Sequence, residues 1–90
     1  MYKIVIVTTS GCEACKIAEN NVNQAVAQTD KEIEVEVKDF KEVPRSILVL
    51  NNIKDYPAVL YYIDETVIKS SVGTYPSPVY LRWIDMFFKY

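Results

Sequence analysis

Ninety residues, 50% of them hydrophobic and 24% charged, suffice for one domain with a buried core and exclude an intrinsically disordered chain. A net charge of −2, with Lys and Arg scattered, leaves no concentrated basic surface for nucleic acid or an anionic membrane. The apolar run Ile4 to Val7 is too short for a signal peptide or a membrane-spanning helix, and two cysteines are too few for a secreted disulfide scaffold. A cytoplasmic protein with residues 1–90 as a single domain is the expectation.

Lys3 to Thr8 is a β-branched apolar run, the pattern of a strand buried on both faces. Thr9, Ser10 and Gly11 make a turn. From there to about Thr29 the spacing is helical, with Cys15, Ala18, Val22, Ala25 and Val26 on one stripe. Cys15 lies in that stripe and Cys12 at its rim, at the helix start. Ile33, Val35 and Val37 alternate with Glu34, Glu36 and Lys38, which predicts an edge strand with one wetter face. Between Asp39 and Asn52 a loop leads into a short helix with Pro44 near its first turn.

A second apolar run, Ala58 to Ile63, and the segment Thr66 to Val72 are separated by Asp64 and Glu65, the spacing of a tight antiparallel hairpin. Ser77 and Pro78 predict a last helix to about Lys89, with the serine as side-chain cap. Its polar residues Arg82, Asp85 and Lys89 fill only a narrow stripe. The apolar excess, Trp83, Met86 and Phe87 among it, is read as a surface for docking or self-association, or as aromatic rims of an ordinary packed helix.

The chemistry-bearing group is Cys12-Glu13-Ala14-Cys15. Residues three apart on a helix share a face at a separation a disulfide can span. The pair is open to three readings: a redox couple, half of a metal site, or two incidental small residues. A single pair cannot complete a tetrahedral metal site, and the chain has no histidine, so metal binding would need ligands from a second copy. At a helix N-terminus the unsatisfied N–H groups and the macrodipole favour a thiolate, which makes Cys12 the nucleophile and Cys15 the resolving thiol. Lys16, one turn on, can lower the Cys12 pKa, while Glu13 opposes ionisation and Glu19 can pair with Lys16. No metal or other cofactor is expected.

The order β-α-β-α-β-β-α, with the cysteine pair straight after the first strand and an isolated Pro57 before the third, resembles the thioredoxin superfamily. The run NIKDYPAVLYYIDETVIKSSVGTY is similar to the thioredoxin segment that carries a cis-proline, a hairpin and a following glycine. The step of 16 residues from Pro57 to Gly73 matches that family. The resemblance implies a thioredoxin-like α/β fold, a four-stranded mixed sheet flanked by three helices. It also implies a cis Tyr56-Pro57 bond facing the cysteines, with Tyr56, Pro57, Gly73 and Thr74 forming a groove for the substrate strand.

The implied activity is reduction of protein disulfides through a Cys12-Cys15 couple at about −200 to −270 mV. A thioredoxin reductase or glutathione would be the electron donor. Three departures stand out. Gly11 replaces a tryptophan, Glu13-Ala14 replaces Gly-Pro, and the buried acid of thioredoxins falls on Ile6, so proton transfer at Cys15 would use water or a group such as Glu19. The other reading is a redox-inactive thioredoxin-fold binding module that docks a partner through its last helix.

Overall fold

The computed structural model describes residues 1–89. Its elements follow the predicted order: β1 (Tyr2–Thr8), α1 (Glu13–Gln28), β2 (Ile33–Asp39), α2 (Arg45–Leu50), β3 (Ala58–Ile63), β4 (Thr66–Val72) and α3 (Ser77–Phe87). The strands form one sheet in the order β2-β1-β3-β4, with β1 parallel to β2 and the other two pairings antiparallel. This is the four-stranded mixed sheet read from the element order, and the thioredoxin-like fold that the resemblance implied.

Two-sided apolarity of β1 and β3 has a direct cause in the layering. Ile4, Ile6, Val59 and Tyr61 point to one face, where they meet Val22 and Ala25 of α1 and Tyr80 and Ile84 of α3. Val5, Val7, Ala58, Leu60 and Tyr62 point to the other, against Val43, Leu48 and Ile53 around α2. Each fully buried aliphatic side chain contributes about 1.5–3 kcal/mol of transfer free energy, so a strand packed on both faces is where a short chain gains most. On α1 the buried stripe is Cys15, Ala18, Val22 and Ala25, and Cys15, the second of the two cysteines, is thereby part of the core.

The hairpin closes as the spacing predicted, with Ile63 opposite Thr66 across two residues. Asp64 there has a φ of 56°, a left-handed conformation that aspartate tolerates. Its carboxylate and backbone N–H hold the chain start, accepting from the Met1 ammonium at 3.0 Å and donating to the Met1 carbonyl at 2.8 Å.

Three expectations change, and a choice left open on α3 is narrowed. Ser77 is not the cap of α3: Pro76 takes that position, and Ser77 and Pro78 are already helical. The N–H groups a Ser77 cap would have bonded, those of Val79 and Tyr80, are taken by the Pro76 carbonyl at 3.0 and 3.3 Å. The helix ends at Phe87 and not near Lys89, because Phe88 leaves helical geometry and buries its ring, stacked 4.7 Å from that of Tyr2. Val37 is 45% exposed although it continues the apolar face of β2. Most of the apolar excess of α3 is absorbed by packing. Tyr80, Ile84 and Phe88 are buried, Trp83 stands edge-on to Tyr75 at 4.9 Å, Phe87 edge-on to Tyr61 at 5.0 Å, and only Met86 is mostly exposed.

Candidate functional site

The C-terminal end of β1 delivers the chain into a turn at Thr9 to Gly11, where Gly11 adopts a φ of 70°. That left-handed step, costly for a residue with a Cβ, swings the chain so that Cys12 becomes the N-cap of α1. Cys12 and Cys15 are joined as a disulfide with their Cα atoms 5.3 Å apart. The Cys12 Sγ also accepts a hydrogen bond from the Cys15 backbone N–H at 3.0 Å, filling the role an oxygen plays in an ordinary N-cap. The two sulfurs differ in setting: Cys15 is 3% exposed and packed with the core, whereas Cys12 is half-buried at the surface.

The loop after β4 is bonded to the first turn of α1, and the loop before β3 is bonded to that loop in turn. The Tyr56-Pro57 peptide bond is cis, and Pro57 is buried. The Gly73 N–H donates to the Pro57 carbonyl at 2.8 Å, so the two loops are bonded to each other. Thr74 Oγ1 donates to the Ala14 carbonyl at 3.1 Å, and Asn21 Nδ2 donates to the Tyr75 carbonyl at 2.9 Å. These bonds tie the β4–α3 loop to α1, the first of them at Ala14 between the cysteines and the second further along the helix. Tyr80 secures the loop from below, its hydroxyl donating to the Gly73 carbonyl and accepting from the Tyr75 N–H, both at 3.3 Å.

Sequence reasoning missed Phe40. Its ring packs 5.3 Å from that of Tyr56, beside a 3₁₀ turn over Phe40–Glu42 that follows β2 directly. A signal was present in Asp39 and Glu42, spaced three apart as in a capping box. The Asp39 carboxylate accepts from the Lys41 N–H and the Glu42 carboxylate from the Asp39 N–H, each at 3.0 Å.

Glu13 and Lys16 are both exposed on the first turn of α1. Lys16 and Glu19 form no ion pair with each other among the described residues. Instead both border a cleft of about 420 Å³ that reaches Cys12 and Cys15 from the β2 side. None of Tyr56, Pro57, Gly73 and Thr74 borders it. Among the described residues, no three of His, Cys, Asp and Glu converge on a site for a metal ion. No helix among them is long and apolar enough to cross a membrane.

A family model described as a thioredoxin domain matches residues 2–84. The chain belongs to the thioredoxin-domain family. No curated protein sequence matches it at a significant level. Among solved structures it is similar to a mutant thioredoxin from Halobacterium salinarum NRC-1, with a TM-score of 0.74 and 17% identity over 96% of this chain and 74% of that one. Chloroplastic thioredoxin z is similar at a TM-score of 0.73 and 14% identity, over 100% and 80% of the two chains. Thioredoxin-2 of the malaria parasite, described as a component of its protein secretion machinery, aligns at a TM-score of 0.75 and 14% identity, over 96% and 82%. At these identities the structures bear on the fold. Family membership together with a C-x-x-C pair at disulfide distance supports a thiol-disulfide redox role.

Proposed function

We propose that this protein is a thiol-disulfide oxidoreductase that reduces protein disulfides, with Cys12 as nucleophile and Cys15 as resolving thiol. The observation that carries this reading is the asymmetry of the pair: a half-buried sulfur capping a helix and accepting a backbone N–H, next to a buried partner one turn on. Hydrogen bonding and the helix dipole both stabilise negative charge on Cys12 Sγ once the pair is reduced. The Cys12 thiolate attacks one sulfur of a substrate disulfide, forming a mixed disulfide and releasing the first substrate thiolate. Cys15, as its thiolate, then attacks Cys12 Sγ. The Cys12-Cys15 disulfide forms, the second substrate thiolate leaves, and two electrons have passed to the substrate.

Tyr56, Pro57, Gly73 and Thr74 form the wall against which the substrate strand lies, and Lys16 and Glu13 tune the Cys12 pKa in opposite directions. A thioredoxin reductase or glutathione restores the dithiol in the cytoplasm.

Insulin reduction driven by dithiothreitol tests the activity. The wild type is expected to speed precipitation of the insulin B chain, and Cys12→Ser to abolish the effect. In cells Cys15→Ser is expected to accumulate mixed disulfides that dithiothreitol releases, and Cys12→Ser none. A wild type inert toward insulin, with no adducts on either variant, would leave a redox-inactive binding module as the function.

A further inference from the structure

The cleft on the β2 flank of the disulfide plays no part in binding a substrate strand at Tyr56 and Gly73. It has a cause in the sequence. A Cβ built on Gly11 meets no atom within 4 Å, so the space above the turn is open. Across from it Val37, at the end of the edge strand, leaves an apolar wall uncovered. Both cysteines border the opening, as do Glu13, Lys16 and Glu19 of α1. At 100° per residue Glu19 falls between Cys15 and Cys12 on the helix wheel, so its carboxylate shares the face of the reacting pair. With two carboxylates and one ammonium, the cleft presents a net charge of −1 beside the disulfide.

We infer that this cleft admits low-molecular-weight disulfides and selects those carrying an amine, a second substrate class that rests on the oxidoreductase reading above. The volume lies at the lower end of that of small-molecule sites, about 300–1,000 Å³, and holds a compact disulfide but no folded protein. An aminoalkyl disulfide sets its methylenes on Val37 and its ammonium toward Glu19, bringing its S–S bond to Cys12. Cys12 takes one half as a mixed disulfide and releases the other as an aminothiol. Cys15 displaces the second half, leaving the Cys12-Cys15 disulfide and two aminothiols. Disulfides bearing carboxylates meet repulsion in the same place.

Steady-state reduction of cystamine, bis(2-hydroxyethyl) disulfide and 3,3′-dithiodipropionate, with dithiothreitol as reductant and its uncatalysed rates subtracted, tests the inference. The reading is the ratio of kcat/KM for cystamine to that for dithiodipropionate, divided by the same ratio for dithiothreitol alone. Taking a ratio cancels any change in Cys12 reactivity. The corrected ratio is expected to exceed one clearly in the wild type and to fall about tenfold in Glu19→Lys, which reverses the charge of the cleft. Val37→Tyr, which narrows the opening from an exposed position, is expected to lower cystamine turnover several-fold relative to insulin reduction. A corrected ratio near one in wild type that reduces insulin normally, left unmoved by Glu19→Lys, overturns the cleft and spares the oxidoreductase. Protein inert toward insulin and all three disulfides overturns both.

Discussion

Tyr61 is fully buried between the sheet and the α1/α3 layer, and among the described residues neither its hydroxyl nor the buried Ser71 Oγ beside it makes a well-formed hydrogen bond. A buried hydroxyl without a partner costs more than a made hydrogen bond returns. Tyr61→Phe is therefore expected to stabilise the protein by about 1 kcal/mol, seen as a rise in Tm of about 4–8 °C. An unchanged or lowered Tm would show that the hydroxyl is satisfied in solution. Gly73 stands at the opposite extreme. Its φ of 103° excludes a side chain on backbone grounds, although an added Cβ would meet only the Tyr75 ring at an ordinary 3.7 Å. Gly73→Ala is expected to cost about 1–3 kcal/mol in urea unfolding, by backbone strain and with no loss of packing.

Two helix starts show how the same residue types do different work. Ser77 precedes a proline and looks like a cap, yet the Pro76 carbonyl already holds the N–H groups it would serve. Ser77→Ala is expected to shift stability by less than about 0.5 kcal/mol, whereas loss of a true cap costs about 1. Asp39 does cap, at the 3₁₀ turn that carries Phe40 to Tyr56. Asp39→Ala should cost about 1 kcal/mol by the urea midpoint. Equal effects from the two substitutions would show that the turn is held by the aromatic contact and not by its cap.

For the molecule as a whole, alkaline stability follows from the tyrosines. Burial pushes the phenol pKa values of Tyr61 and Tyr80 above their ordinary 10.0. The folded state therefore keeps protons that the unfolded chain releases above pH 10. The contribution is fully present below that pH and is lost as pH rises toward the folded-state values. Stability, followed by fluorescence of the single tryptophan, Trp83, is expected to fall steadily above about pH 10. The fall should be shallower in Tyr61→Phe, and an equal slope in both proteins would remove Tyr61 from the linkage.

Order and type of the elements were legible in the sequence because hydrophobic period and turn residues are local signals, and here they agree with the layering. Ile4 to Val7 and Ala58 to Ile63 read as continuous apolar runs because each strand has helices on both sides. The cysteine pair was legible for the same reason, since three-residue spacing at a helix start sets its separation without help from the rest of the chain. Contacts between distant segments were decided by tertiary structure. The bond from Thr74 to Ala14 spans 60 residues and that from Asn21 to Tyr75 spans 54, and neither leaves a periodic trace. Phe40 beside Tyr56, the exposure of Val37 and the absorption of the α3 aromatics depend on which surfaces meet. The sequence alone determined two thiols on one helical turn; only the packed chain decided that the loops of Pro57 and Gly73 are bonded to each other and to that turn, and that a cleft lined by Glu13, Lys16 and Glu19 opens beside it, because these contacts join segments far apart in the chain.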